Sequence, residues 1–208
     1  MVLLKRQTVL FRRNAQVSRS IRRIKHMTLL LVGIVLTILM VFITRQLTSS
    51  LPPERFRSVI RLLLPAYLLL NLYFTFLMRE PSENRLVTLV PLRSYFAVLG
   101  WDIQSFSAVG QLLQGAWEEP IAFALEPLIG VVQNLILFMP FGFLLYAVTD
   151  RPRTARILLF GFLLSLAIEL CQLLFRLGWF EVDDILHNVL GTYLGICLYR
   201  RAVKRTST

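Results

Sequence analysis

Residues 128–149 read LIGVVQNLILFMPFGFLLYAVT, twenty-two residues without a single charge. As an α-helix this run is roughly 33 Å long, and a bilayer core is about 30 Å thick. A helix satisfies its own backbone groups where no water can, so the run reads as a membrane helix. Working outward, four more apolar runs appear, at about 27–44, 59–78 (with Pro65 and Asn71 inside), 157–175 and 184–199. The predicted fold class is therefore all-α. It is a polytopic transmembrane bundle of about five membrane helices, with a short amphipathic interfacial helix near 105–117.

Composition agrees. Of 208 residues, 56% are hydrophobic and 17% are charged, against about 25% charged in soluble domains. The net charge of +11 belongs with cytoplasmic flanks and anionic lipid, since no zinc-finger spacing or aromatic-rich basic strand points to nucleic acid. Membrane lipids are the expected partners, nucleic acid is not, and the oligomeric state stays open. Cys171 and Cys197 lie inside apolar runs and read as packed thiols. With His26 and His187 far apart and no H-E-x-x-H or C-x-x-C spacing, no metal and no cofactor are expected.

Four parts are expected along the chain. Residues 1–26 form a basic arm with eight Lys or Arg and no acid. Residues 27–61 add a membrane helix and linker, 62–199 form the main membrane domain, and 200–208 form a basic tail. The loop 150–156 and the tail are rich in Arg, so both read as cytoplasmic, and the acidic loops 79–127 and 176–184 then face outward. Five passes on this basis leave the basic arm outside. Lys and Arg divide 11 against 12 across the membrane, so the positive-inside rule does not choose.

Polar residues inside the apolar runs are the candidate site. Glu169 follows three apolar residues, and a carboxylate in lipid costs about 2.5–3.5 kcal/mol on insertion scales. Ser165, Gln172 and Arg176 share its helical face. It reads equally as a buried structural hydrogen bond, a Glu–Arg pair, or a raised-pKa acid in a pocket. Three acids, Glu181, Asp183 and Asp184, then precede the last run. One aspartate is expected to cap that helix. Asp184, Asn188, Gly191 and Gly195 follow at spacings of 4, 3 and 4, a polar-to-small stripe suited to close helix approach. That stripe is expected to meet the Ser165–Glu169–Gln172 stripe of the preceding helix. Asn134 completes the polar set, and Pro140 and Gly142 read as a kink and a packing position.

Three blocks of these residues are similar to the VanZ-like family of bacterial membrane proteins. LVTLVPLRSY (86–95) resembles that family's N-L-I-P-F segment, with Thr88 and Leu92 where Asn and Phe are usual. QNLILFMPFGFLL (133–145) resembles N-x-x-x-F-x-P-x-G-F at Asn134, Phe138, Pro140, Gly142 and Phe143. Residues 165–195 resemble S-x-x-I-E-x-x-Q followed by [DE]-x-D-D-x-x-x-N-x-x-G, at Ser165, Ile168, Glu169, Gln172, Glu181, Asp183, Asp184, Asn188 and Gly191. The Arg that often precedes the first acid is displaced here to Arg176.

The resemblance implies a multi-pass protein of the bacterial cell membrane. It also implies a link to glycopeptide resistance, teicoplanin above all, in Gram-positive bacteria. Three functions compete. The first is a non-catalytic envelope protein whose outward acidic loops alter access of a glycopeptide. The second is a membrane enzyme acting on a lipid-linked cell-wall precursor. In it Glu169 or Asp184 is general base, His187 a proton carrier, and Asn134, Gln172 and Asn188 orienting groups. The third is a small transporter with Glu169 as its proton site.

Overall fold

The computed structural model describes residues 28, 31–44, 46–47, 50–77, 87–92, 95, 118–178 and 180–204. Five helices dominate: α1 (Leu31–Thr44), α2 (Pro53–Leu72), α3 (Glu118–Val148), α4 (Thr154–Phe175) and α5 (Val182–Lys204). The last turn of α2 loosens into a π-helical stretch, Tyr73–Leu77. Two short strands, β1 (Val87–Thr88) and β2 (Phe180–Glu181), pair in parallel, with Val87 opposite Phe180 and Thr88 opposite Glu181. The fold is thus all-α apart from one two-residue ladder. The expected interfacial helix at 105–117 lies outside the described residues.

Three stretches are long and apolar enough to cross a membrane, Glu54–Phe76, Leu128–Val148 and Thr154–Phe175. The first and last of the five expected runs do not meet that measure among the described residues. The described part of α1 is a shorter apolar helix. α5 has the length, at 23 residues, but its inward face carries His187, Asn188 and Thr192, which lowers its hydropathy. α3 also starts earlier than the apolar run, at Glu118. Its Pro120 stands in the first turn, where a missing N–H breaks no helical bond.

Along α4 and α5 polar side chains are buried and large apolar ones face outward. Ser165, Glu169, Gln172, Asn188 and Thr192 are all buried, while Leu159, Phe160, Leu163, Leu170 and Leu174 of α4 and Leu186, Leu190 and Tyr193 of α5 are exposed. Water would penalise such a surface, and lipid would not.

Contacts set the helix directions. Arg57 at the start of α2 pairs with the exposed Asp150 just after α3, so α2 and α3 are antiparallel. Gly33 abuts Ile136 and Met40 packs with Phe143 and Leu144, so α1 runs parallel to α3. Arg200 reaches Tyr146 and Thr154, which brings the end of α5 beside the loop between α3 and α4. One end of the bundle therefore gathers the exposed Arg57, Arg151, Arg153, Arg156, Arg200 and Arg201. The other holds the three acids Glu181, Asp183 and Asp184, as the loop charges led us to expect.

Pro140 lacks the N–H that an α3 interior needs. At that turn the Leu137 carbonyl takes two donors from α2, the Tyr67 hydroxyl and Asn71 Nδ2 at 3.2 Å. Asn71 also donates to the Tyr67 hydroxyl, and Thr75 donates to Asn71 Oδ1. Side chains of a neighbouring helix thus brace the turn before Pro140. Either Tyr67→Phe or Asn71→Leu alone should cost about 1 kcal/mol, because one donor remains. Together they should cost about the sum, roughly 2 kcal/mol, because the Leu137 carbonyl then loses both of its donors from α2 while its place in α3 is kept. Thermal unfolding in detergent of the two single variants and the double checks this.

Candidate functional site

The site lies where α4 ends and α5 begins. α4 contributes Ser165, Glu169 and Gln172 at intervals of four and three residues, all buried. The helix stops at Arg176, which adopts a left-handed conformation (φ 59°) with its N–H on the Gln172 carbonyl. Leu177 N–H joins that same carbonyl at 2.8 Å. The expected Glu169–Arg176 pair does not form. Arg176 is exposed and makes no ion pair among the described residues, because its place at the reversal turns it away from the stripe.

Glu169 reaches forward across the turn instead. Its Oε2 accepts the backbone N–H of Glu181 at 3.1 Å. A carboxylate that is 1% exposed thus fixes the strand leading into α5. One turn from that strand, Asp183 accepts the backbone N–H of Leu92. The Tyr95 hydroxyl lies 2.9 Å from His187 Nε2. The segment 87–92 is therefore tied down at three points, by the β1–β2 ladder, by Asp183 and, through Tyr95, by His187.

Deeper in the bundle, Asn188 Nδ2 donates to Ser165 Oγ at 2.8 Å, and Thr192 Oγ1 donates to the Asn188 carbonyl at 2.9 Å. Among the described residues, His187 Nδ1 and Asn188 Oδ1 are buried and lack a hydrogen-bond partner. Glu181 and Asp184 are half-buried at the entrance. Asp183 and Asp184 stand in the first turn of α5, where they suit the helix dipole. Asn134 is half-buried on α3 and shares no hydrogen bond with this cluster, whereas its neighbour Gln133 is buried.

The glycine stripe does not continue onto α4, which corrects the expected pairing. A Cβ on Gly191 would strike the Leu135 carbonyl, and one on Gly195 would strike the Met139 carbonyl, both on α3. Reciprocally, Gly142 leaves room for the Thr192 backbone and Gly161 for the Thr192 side chain. α5 is a wedge, its glycine edge against α3 and its Asn188 edge against α4. Leu92 and Tyr95 lie in the first motif block and Thr192 in the third, but no feature of the sequence assigned these three to the site. Among the described residues no group of three metal-ligating side chains is assembled, and both cysteines are free.

A family model described as VanZ/LLP1 matches residues 64–204, well over half the chain. The chain belongs to the VanZ/LLP1 family. Protein VanZ of Enterococcus faecium is 34% identical over 73 residues, which cover 33% of this chain and 43% of that protein. The chain thus spans less than half the length of that relative. No solved structure matches. In this VanZ/LLP1 chain the matched region contains every side chain of the polar cluster, while α1 lies outside it. The structure joins two of the motif blocks directly, the first through Leu92 and Tyr95 and the third through Asp183 and His187.

Proposed function

We propose that this VanZ/LLP1 protein is a multi-pass protein of a Gram-positive cell envelope that lowers susceptibility to glycopeptides such as teicoplanin without catalysing a reaction. One observation carries the non-catalytic reading. The two buried carboxylates, Glu169 and Asp183, each accept a backbone N–H of a neighbouring segment. They act as loop anchors, each holding a neighbouring segment by its backbone. The anchored end then presents the half-buried Glu181 and Asp184 to the outside and so alters access of an antibiotic to the outer leaflet. The name of the Enterococcus faecium relative supports the resistance link.

All five helices cross the membrane in this reading. The exposed Leu186, Leu190 and Tyr193 give α5 a lipid-facing side despite its polar inner face. The arginine-rich end is cytoplasmic by the positive-inside rule. With Cys171 and Cys197 replaced by serine, a membrane-impermeant thiol reagent should label Leu92→Cys in intact cells and should label Arg153→Cys only after lysis. The reverse pattern inverts the topology.

Expression of the wild type in a susceptible Gram-positive host should raise the inhibitory concentration of teicoplanin. Asp183→Ala, at matched membrane level, should not. Tolerance that is unchanged from the empty vector removes the resistance reading. A second reading, a membrane protein that binds a lipid-linked envelope precursor, is favoured by the two unpartnered buried atoms, His187 Nδ1 and Asn188 Oδ1.

A further inference from the structure

We propose that Arg200, at the arginine-rich end of the bundle, holds the phosphate of an anionic glycerophospholipid whose acyl chain lies along the outer face of α5. The inference rests on the membrane placement proposed above and is independent of the resistance reading.

Arg200 is held in place by neutral groups. Its Nε–H donates to the Tyr146 hydroxyl at 3.0 Å, and an Nη2–H donates to Thr154 Oγ1 at 2.8 Å. The guanidinium carbon lies 5.0 Å from the centre of the Tyr146 ring. That ring in turn packs on Tyr199, with 5.5 Å between centroids. A guanidinium has five N–H donors in a rigid fork. Two are used here, so three stay open. Arg200 is exposed and makes no ion pair among the described residues. Groups from α3, α5 and the start of α4 thus fix a charged fork that none of them neutralises.

Its neighbours add to that charge. Arg151, Arg153, Arg156 and Arg201 are exposed at the same end and pair with no acid among the described residues. Asp150 is engaged by Arg57, and Glu54 pairs with none of these arginines. Gathered like charges repel one another, and a bound anion relieves them. The open fork suits a phosphate, whose oxygens accept two parallel N–H groups at once. A head group that carries its own amine would bring a cation beside Arg201, so an anionic head is favoured over a zwitterionic one.

The rest of that face of α5 points to a lipid as the source of the phosphate. Cys197, Tyr193, Leu190 and Leu186 precede Arg200 at intervals of three, four, three and four residues, so all five share one helical face. Leu186, Leu190 and Tyr193 are exposed, and Cys197 is half-buried. At 1.5 Å per residue this track is roughly 21 Å long, more than one leaflet's half of a hydrocarbon core about 30 Å thick. Tyrosines such as Tyr146 and Tyr199 suit the depth where lipid head groups begin. The chain of a phospholipid fits the track and its phosphate fits the fork. A free phosphate ion would use the fork and none of the track.

The test titrates the full chain in neutral detergent with phosphatidylglycerol and, separately, with phosphatidylcholine, and counts bound lipid by native mass spectrometry. Phosphatidylglycerol should bind about tenfold more tightly. Arg200→Gln should cut that preference to about twofold or less, whereas Arg201→Gln removes the same charge one residue away and should keep most of it. Tyr146→Phe leaves the charge untouched and frees the fork, so it should weaken phosphatidylglycerol several-fold and leave phosphatidylcholine unchanged. This second variant keeps the test open should Arg200→Gln fail to fold. Equal losses for Arg200→Gln and Arg201→Gln, or no loss for Tyr146→Phe, overturn the proposal in favour of a diffuse basic surface. Inorganic phosphate at millimolar concentration should leave the bound lipid in place, and displacement would overturn the lipid assignment. A chain that stays soluble without detergent and binds neither lipid sinks the membrane reading. A chain that needs detergent yet shows no preference sinks this inference alone.

Discussion

Gly195→Ala should prevent the protein from accumulating in folded form. A methyl group at that position would overlap the Met139 carbonyl oxygen and stand 2.7 Å from the Phe143 nitrogen. Both are backbone atoms of α3, so no side chain can swing aside. α3 and α5 must separate, and the loss is expected to be at least about 3 kcal/mol, the upper range for overpacking. Close helix approach is a main source of association energy in lipid, where the hydrophobic drive between helices is absent. Gly130 is the matched control. Nothing lies within 4 Å of a Cβ built there, so Gly130→Ala should be neutral or gain up to about 1 kcal/mol of helix propensity. Size-exclusion profiles of detergent-solubilised protein after graded heating separate the two outcomes. Similar profiles for both variants would disprove the tight α3–α5 crossing.

Glu169 should show the next largest effect, and the order of its variants matters more than the size. Glu169→Ala orphans the Glu181 N–H, which costs about 1–3 kcal/mol, and leaves a void in a tightly filled turn. Glu169→Gln keeps a side-chain oxygen able to accept that N–H. Stability and teicoplanin tolerance should therefore fall in the order wild type, Gln, Ala, with Gln much closer to the wild type. A general base gives the other pattern, in which Gln is as damaging as Ala because neither can take a proton. Parallel measurement of melting temperature and tolerance for the two variants decides between anchor and base.

The parts of the structure that announce themselves in the sequence depend on neighbours along one helix. The uncharged run at 128–149 shows α3, and the 4–3 spacing of Ser165, Glu169 and Gln172 shows the buried face of α4. The 4–3–4 spacing from Asp184 to Gly195 shows that α5 has a special side, but not that this side divides between two partners. That division depends on Gly142 and Gly161 opposite, and no periodicity in α5 encodes them. The start of α3 was hidden because Glu118, Glu119 and Pro120 look like loop, although a helix tolerates all three in its first turn. The tie between residues 87–92 and α5 was hidden altogether. Leu92 and Asp183 are 91 positions apart, and the group that Leu92 contributes is a backbone N–H, which every residue but proline has.

The wedge position of α5 also bears on biogenesis. α5 is made after α3 and α4, packs against both and supplies partners for both. Until it arrives, Ser165 lacks Asn188 and Glu169 lacks the Glu181 N–H, so in the proposed membrane setting a half-made chain leaves part of its polar stripe unmet. Such a stripe is costly there, and it is a plain signal for a membrane protease. A chain truncated before Val182 would carry most of the apolar mass of the protein and still be recognised as unfinished.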